Sequence, residues 1–141
     1  MDNVLEIIKG RKSVRTFDGR QISDEHRKKL TEYIKGITNP FGILVEFVCL
    51  DAKEHGLSSP VLSGEQLYIA GKVEKKPYAD MAFGYAFEKL VLFAWSLGIG
   101  TVWIGGTMKR ESFEEAAVVQ EGEMMPCVSP LKNCFFHRHF Y

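Results

Sequence analysis

The sequence of 141 residues is short of several things, and each absence narrows the field. Its three cysteines, an odd number without regular spacing, make no disulfide framework. No apolar run reaches about 18 residues, so no membrane span is expected. Formal net charge is zero, which gives no global basic field and argues against nucleic acid as the main partner. The start, Met1-Asp2-Asn3-Val4-Leu5-Glu6, has no basic region followed by an apolar one. No signal peptide is therefore expected, and the cytoplasm is the default compartment. Hairpin turns of the Asn-Gly type and internal repeats are missing. Ser13, Ser96, Ser112 and Ser129 lack a nucleophile-elbow context, and no nucleophile is paired with a base. What is present is a hydrophobic share of 45%, enough for a globular core in a chain the length of one domain.

Apolar spacing at Val4, Leu5, Ile7 and Ile8 predicts a short opening helix ended near Gly10. Ser23 is a plausible N-cap for a second helix, with Asp24 and Glu25 in the first turn and Leu30, Tyr33, Ile34 and Ile37 as its apolar face. Asn39-Pro40-Phe41-Gly42 reads as a turn. Residues 43–50 are rich in branched and aromatic side chains and read as a buried strand. Residues 52–64 read as a loop and residues 67–73 as a second strand. The longest helix is expected from about Tyr78, ended by Gly98. Its apolar positions cover most of the circumference, which predicts burial on more than one side. Residues 101–104 read as a short strand, residues 110–117 as a short helix, and residues 124–128 as a final strand in which Pro126 marks an edge or a bulge. The order describes a mixed α and β chain.

Two segments could carry chemistry. In Arg11-Lys12-Ser13-Val14-Arg15, arginines on either side of a hydroxyl can grip a phosphate or another anion if the segment is extended. The same residues also suit a solvated basic loop after a helix. In residues 98–106, glycines flank a short apolar strand and let backbone approach a flat ligand. They equally suit a helix cap, a strand and a turn, and they do not form the dinucleotide fingerprint. Tyr85 and Glu88 share a face of the long helix, with packing as the simpler reading. Cys127, Cys134, His137 and His139 are metal-ligand types, but their spacing matches no common zinc pattern, so no metal is expected.

Three segments, taken together, resemble the nitroreductase family. Arg11-Lys12-Ser13-Val14-Arg15-Thr16-Phe17 is similar to that family's Arg-x-Ser-x-Arg-x-Phe start. Residues 78–92 resemble its long central helix in a short-form branch, and residues 97–107 resemble the strand and loop that follow. Order and approximate spacing agree. The similarity runs from residue 4 to about 130, and Val128-Ser129-Pro130 resembles a Val-Ser-Pro-Val-Gly segment of the family. It implies a chain that stops short of the family's C-terminal part, with residues 1–130 as an FMN-binding domain and residues 131–141 as an atypical tail.

The resemblance implies an α+β sandwich. Its mostly antiparallel sheet would be flanked by helices, with the long helix buried at its centre. It implies FMN bound at a homodimer interface. Arg11, Ser13 and Arg15 would hold the phosphate, ribityl chain and pyrimidine edge, with Lys12 adding backbone or ribityl contacts. Ile104, Gly105 and Gly106 would lie along one face of the ring, a peptide N–H approaching flavin N5. Asn39 and Pro40 match a segment that approaches the flavin in some members. The implied activity is hydride transfer from NADH or NADPH, through the flavin, to a nitroaromatic, quinone or similar small molecule. The alternative is a non-catalytic protein of the same fold. A homodimer is also expected because one small domain can hardly cover a helix apolar nearly all round.

Overall fold

The computed structural model describes residues 3–133. Helix α1 (Val4–Gly10) opens the chain, and α2 (Asp24–Lys35) follows a long extended segment. Ser23 caps α2 as expected, its hydroxyl accepting from the His26 N–H at 3.1 Å. Strand β1 (Val45–Asp51) runs straight into a single helical turn, α3 (Ala52–His55). Residues 52–64 were expected to be loop throughout. The Asp51 carboxylate accepts from the Glu54 N–H at 2.8 Å, and Gly56 closes the turn in the left-handed region. A cap that is also the last residue of a strand leaves little trace in the apolar pattern.

Strand β2 (Leu67–Glu74) is buried along almost its whole length and is the centre of an antiparallel sheet. On one side it pairs with β1, in a register that sets Val45 opposite Val73 and Asp51 opposite Leu67. On the other side it pairs with two short strands, β4 (Glu123–Met124) and β5 (Val128–Pro130). Between them Met125, Pro126 and Cys127 face only Gly71 and Lys72, so this edge bulges by one residue. The bulge falls at the proline, which has no N–H to give the ladder.

Helix α4 (Ala79–Ser96) lies across the sheet. Phe83, Phe87 and Val91 pack toward Val73, while Leu90 and Ala94 pack with Ile69 and with Leu30 of α2. Leu92 and Trp95 meet Ile7 of α1. Most of the circumference is thus covered by this chain itself, leaving Met81 and Tyr85 as its large exposed apolar side chains. The expected strand at residues 101–104 is instead β3 (Ile99–Gly100), followed by single bridges at Thr101 and Ile104 to two different neighbours. The segment divides because no one partner runs alongside it. Strand β6 (Lys132–Asn133) pairs with β3, and Leu131 is buried, so pairing continues past residue 130. Helix α5 (Arg110–Ala116) is tied down beyond its end by buried Lys72, whose ammonium donates to the Val118 carbonyl at 3.1 Å. Glu46 and Glu123 stand 3.9 Å from that ammonium and supply the opposite charge a buried lysine needs. No helix among the described residues is long and apolar enough to cross a membrane.

Candidate functional site

The basic segment leaves α1 in extended conformation and is stitched to the fold at two points. Ser13 forms a parallel bridge with Thr101, the Val14 N–H donating to the Thr101 carbonyl at 2.9 Å. Thr16 forms a second bridge with Ser63, where the Phe17 N–H donates to the Ser63 carbonyl at 2.9 Å. Val14 packs against Ile7, Leu92 and Trp95, and Phe17 is buried. Those two apolar side chains fix which residues of the segment face out. Lys12, Ser13 and Arg15 are exposed. Gly64 makes the second stitch possible: its φ is +78°, and a Cβ there would lie 2.1 Å from the Phe17 carbonyl oxygen.

Arg11 differs from Arg15. It is half-buried, and its Nη2 donates to the Thr101 hydroxyl at 3.0 Å and carbonyl at 3.3 Å. Burial lowers its pKa, while the Glu88 carboxylate on α4 works in the opposite direction. The group stays charged, since an arginine starts far above neutral pH. Its Nε is buried without a hydrogen-bond partner. A cationic donor in that condition carries a substantial desolvation cost and fits an anionic or carbonyl acceptor at the same spot.

The glycine segment lies next to it. From Thr101, which pairs with Ser13, four residues lead to Gly105, a span of at most about 14 Å. Ile104 is buried and exchanges both backbone hydrogen bonds with Val128, at 2.8 and 2.9 Å. Gly105 and Gly106 then emerge at the surface. A Cβ on Gly105 would meet the Cys127 Sγ at 3.3 Å and the Pro126 carbonyl at 3.5 Å, whereas one on Gly106 would meet nothing within 4 Å. The pair therefore offers a side-chain-free backbone surface with the bulge behind it. Burial raises the pKa of the Cys127 thiol beside Gly105, and Arg110 partly offsets this.

Of the seven residues the sequence singles out, Arg11, Lys12, Ser13 and Arg15 stand on one segment and Ile104, Gly105 and Gly106 on its neighbour. The Ser13–Thr101 bridge joins the two. Asn39 is different. Its amide donates to the Ile43 carbonyl at 2.7 Å and its oxygen accepts from the Phe41 N–H at 3.0 Å, so this side chain closes its own turn. Three residues that the sequence does not mark as site candidates also shape this region. Thr101 holds Arg11; Glu88 accepts from the Trp103 indole N–H at 3.2 Å and faces Arg11 electrostatically; Arg110 bonds the Gly105 carbonyl. Only Glu88 had drawn notice, and each acts through a partner distant in sequence or folded back by a turn. Among the described residues no group of three or more His, Cys, Asp or Glu side chains could hold a metal; Cys134, His137 and His139 lie outside them.

The family model described as "Putative TM nitroreductase" matches residues 3–129. The chain belongs to this nitroreductase family. Family membership places it among oxidoreductases, and the α+β architecture is the nitroreductase fold. A Bacteroides thetaiotaomicron structure named "Putative NADH dehydrogenase/NAD(P)H nitroreductase" superposes with a TM-score of 0.76 at 19% identity, over 96% of this chain and 88% of that one. An FMN-dependent nitroreductase from Clostridium difficile R20291 gives 0.76 at 18%, over 93% and 87%. A Desulfovibrio desulfuricans structure named "putative nitroreductase in complex with fmn" gives 0.74 at 17%, over 97% and 89%. At these identities the likeness concerns the fold. Among curated proteins, none matches this sequence.

Proposed function

We propose that this nitroreductase-family chain is an FMN-dependent oxidoreductase that uses NADH or NADPH to reduce a nitroaromatic, quinone or similar small acceptor. The observation that carries the reading is the Ser13–Thr101 bridge, which joins the basic segment to the segment that leads to Gly105 and Gly106. Arg11, with its buried unpartnered Nε, and exposed Lys12, Ser13 and Arg15 suit the phosphate, the ribityl hydroxyls and the polar edge of the ring. Ile104, Gly105 and Gly106 would carry the ring face. When bound, FMN supplies the hydride chemistry, which accounts for a site with no nucleophile-base pair. The names of the Bacteroides and Clostridium structures supply the nicotinamide and FMN parts of the proposal.

The working unit in this reading is a cytoplasmic homodimer. Its support lies less in α4, which the chain largely covers, than in Val4, Leu5 and Ile8 of α1 and in Leu44. Leu5 is 66% exposed and Leu44 80% exposed. Anaerobic titration tests the function. Purified protein given FMN should bind it, and NADPH or NADH should bleach the flavin band. Protein that takes up no flavin contradicts the proposal, and bound flavin that neither nucleotide reduces favours a non-catalytic member of the fold.

A further inference from the structure

Arg110 opens α5 and is half-buried, and its guanidinium gathers three backbone carbonyls. Nη2 donates to the Gly105 oxygen at 2.6 Å and to the Pro126 oxygen at 3.4 Å, and Nη1 donates to the Met125 oxygen at 2.5 Å. Met125 and Pro126 lie in the bulge, where the ladder with β2 is interrupted. Gly105 follows the last bridge of its own segment, the one between Ile104 and Val128. One planar donor fork thus serves acceptors that regular pairing leaves over, and it ties the glycine segment to the bulge.

A trans peptide is planar, with its C=O and N–H pointing in opposite directions. With the Gly105 carbonyl held by Arg110, the N–H of Gly106 is turned away from the guanidinium. Gly106 is exposed, with open space where a side chain would stand. Two consecutive glycines can rotate this peptide at little steric cost, so something outside them has to select its orientation. We propose that Arg110 is a positioning residue that presents the Gly106 N–H to the ligand ring at the glycine surface. The inference rests on FMN as that ligand. Lysine, with a compact ammonium in place of a fork, cannot hold carbonyls on both segments in the same way.

The test uses the full chain with FMN and the variants R110K and R110Q. Wild type should bind FMN with a displaced visible band. Both variants should bind FMN about tenfold or more weakly, with a band closer to that of free FMN. R110Q with wild-type affinity and an unchanged band would overturn the role of Arg110 while leaving FMN binding intact. Wild type that binds no FMN would overturn the functional reading and this inference with it. A variant that fails to fold is replaced by a measurement on wild type: the Gly106 amide resonance should shift, and its hydrogen exchange slow, when FMN is added. A Gly106 amide indifferent to bound FMN contradicts the proposal.

Discussion

Residues 11–15 are joined at Thr101 to the segment that runs on to residues 104–106, yet the two stretches are held by different means. The basic segment is fixed through its backbone, at Thr101 and at Ser63, and leaves Lys12, Ser13 and Arg15 at the surface. In the proposed reading the glycine segment works through its backbone, and a side chain, that of Arg110, bonds the Gly105 carbonyl. In that reading, main-chain pairing frames the side chains offered to the ligand, and a side chain holds the main chain offered to it. Arg11 stands between these cases, a candidate ligand group itself held by the Thr101 hydroxyl.

The strongest way to break the comparison is to unseat the basic segment alone. Gly64→Ala forces a left-handed backbone on alanine and drives its Cβ into the Phe17 carbonyl. It should destabilise the fold by roughly 3 kcal/mol, measured by chemical denaturation. Next comes a contrast within the segment. Arg11→Ala and Arg15→Ala should each weaken FMN binding about 10- to 100-fold, the range of a lost charge-assisted bond. Only Arg11→Ala should also lower the melting temperature, because Arg15 is exposed and Arg11 is bonded to Thr101. Equal loss of stability in the two would remove the distinction drawn here.

Smaller effects sharpen the picture. Thr101→Val keeps the bridge to Ser13 and removes the hydroxyl that holds Arg11. It should weaken FMN binding by about fivefold, near 1 kcal/mol, in a fluorescence titration. The smallest effect lies just past the basic segment. The Arg20 guanidinium, hydrogen-bonded to the Asp18 carboxylate, holds its pKa at about 2, below the ordinary value of 3.8. A depressed carboxylate stabilises the fold above its unfolded pKa, and that contribution is lost as pH falls through the folded one. The Asp18 carboxyl signal should therefore titrate near pH 2 in wild type and move toward 3.8 in Arg20→Ala. Both groups are at the surface, so the melting temperature at neutral pH should hardly move.

How much of this was legible in the sequence follows from the range of each interaction. Helix α2 was readable because its cap and its apolar face are local, Ser23 bonding a residue three positions on. Strand β2 was readable because it is buried on both sides, which calls for a mostly apolar run, Lys72 being the charged exception. Helix α3 and the division of residues 99–104 were not. The first depends on a cap hidden at a strand end, the second on which neighbours happen to lie alongside. The same limit applies to the candidate site. Arg11 and the glycines announce themselves by type and spacing. Arg110 reads as an ordinary first residue of a surface helix until the bulge at Pro126 is seen to offer it carbonyls.

In the proposed reading the basic segment takes a phosphate while the glycine surface takes a flat ring. A side-by-side titration with FMN and riboflavin tests it most directly, since the two differ only in the phosphate. Saturation is expected at about one FMN per chain, with riboflavin at least tenfold weaker and the gap shrinking as salt rises. Equal affinity for both flavins, or binding of neither, would contradict it.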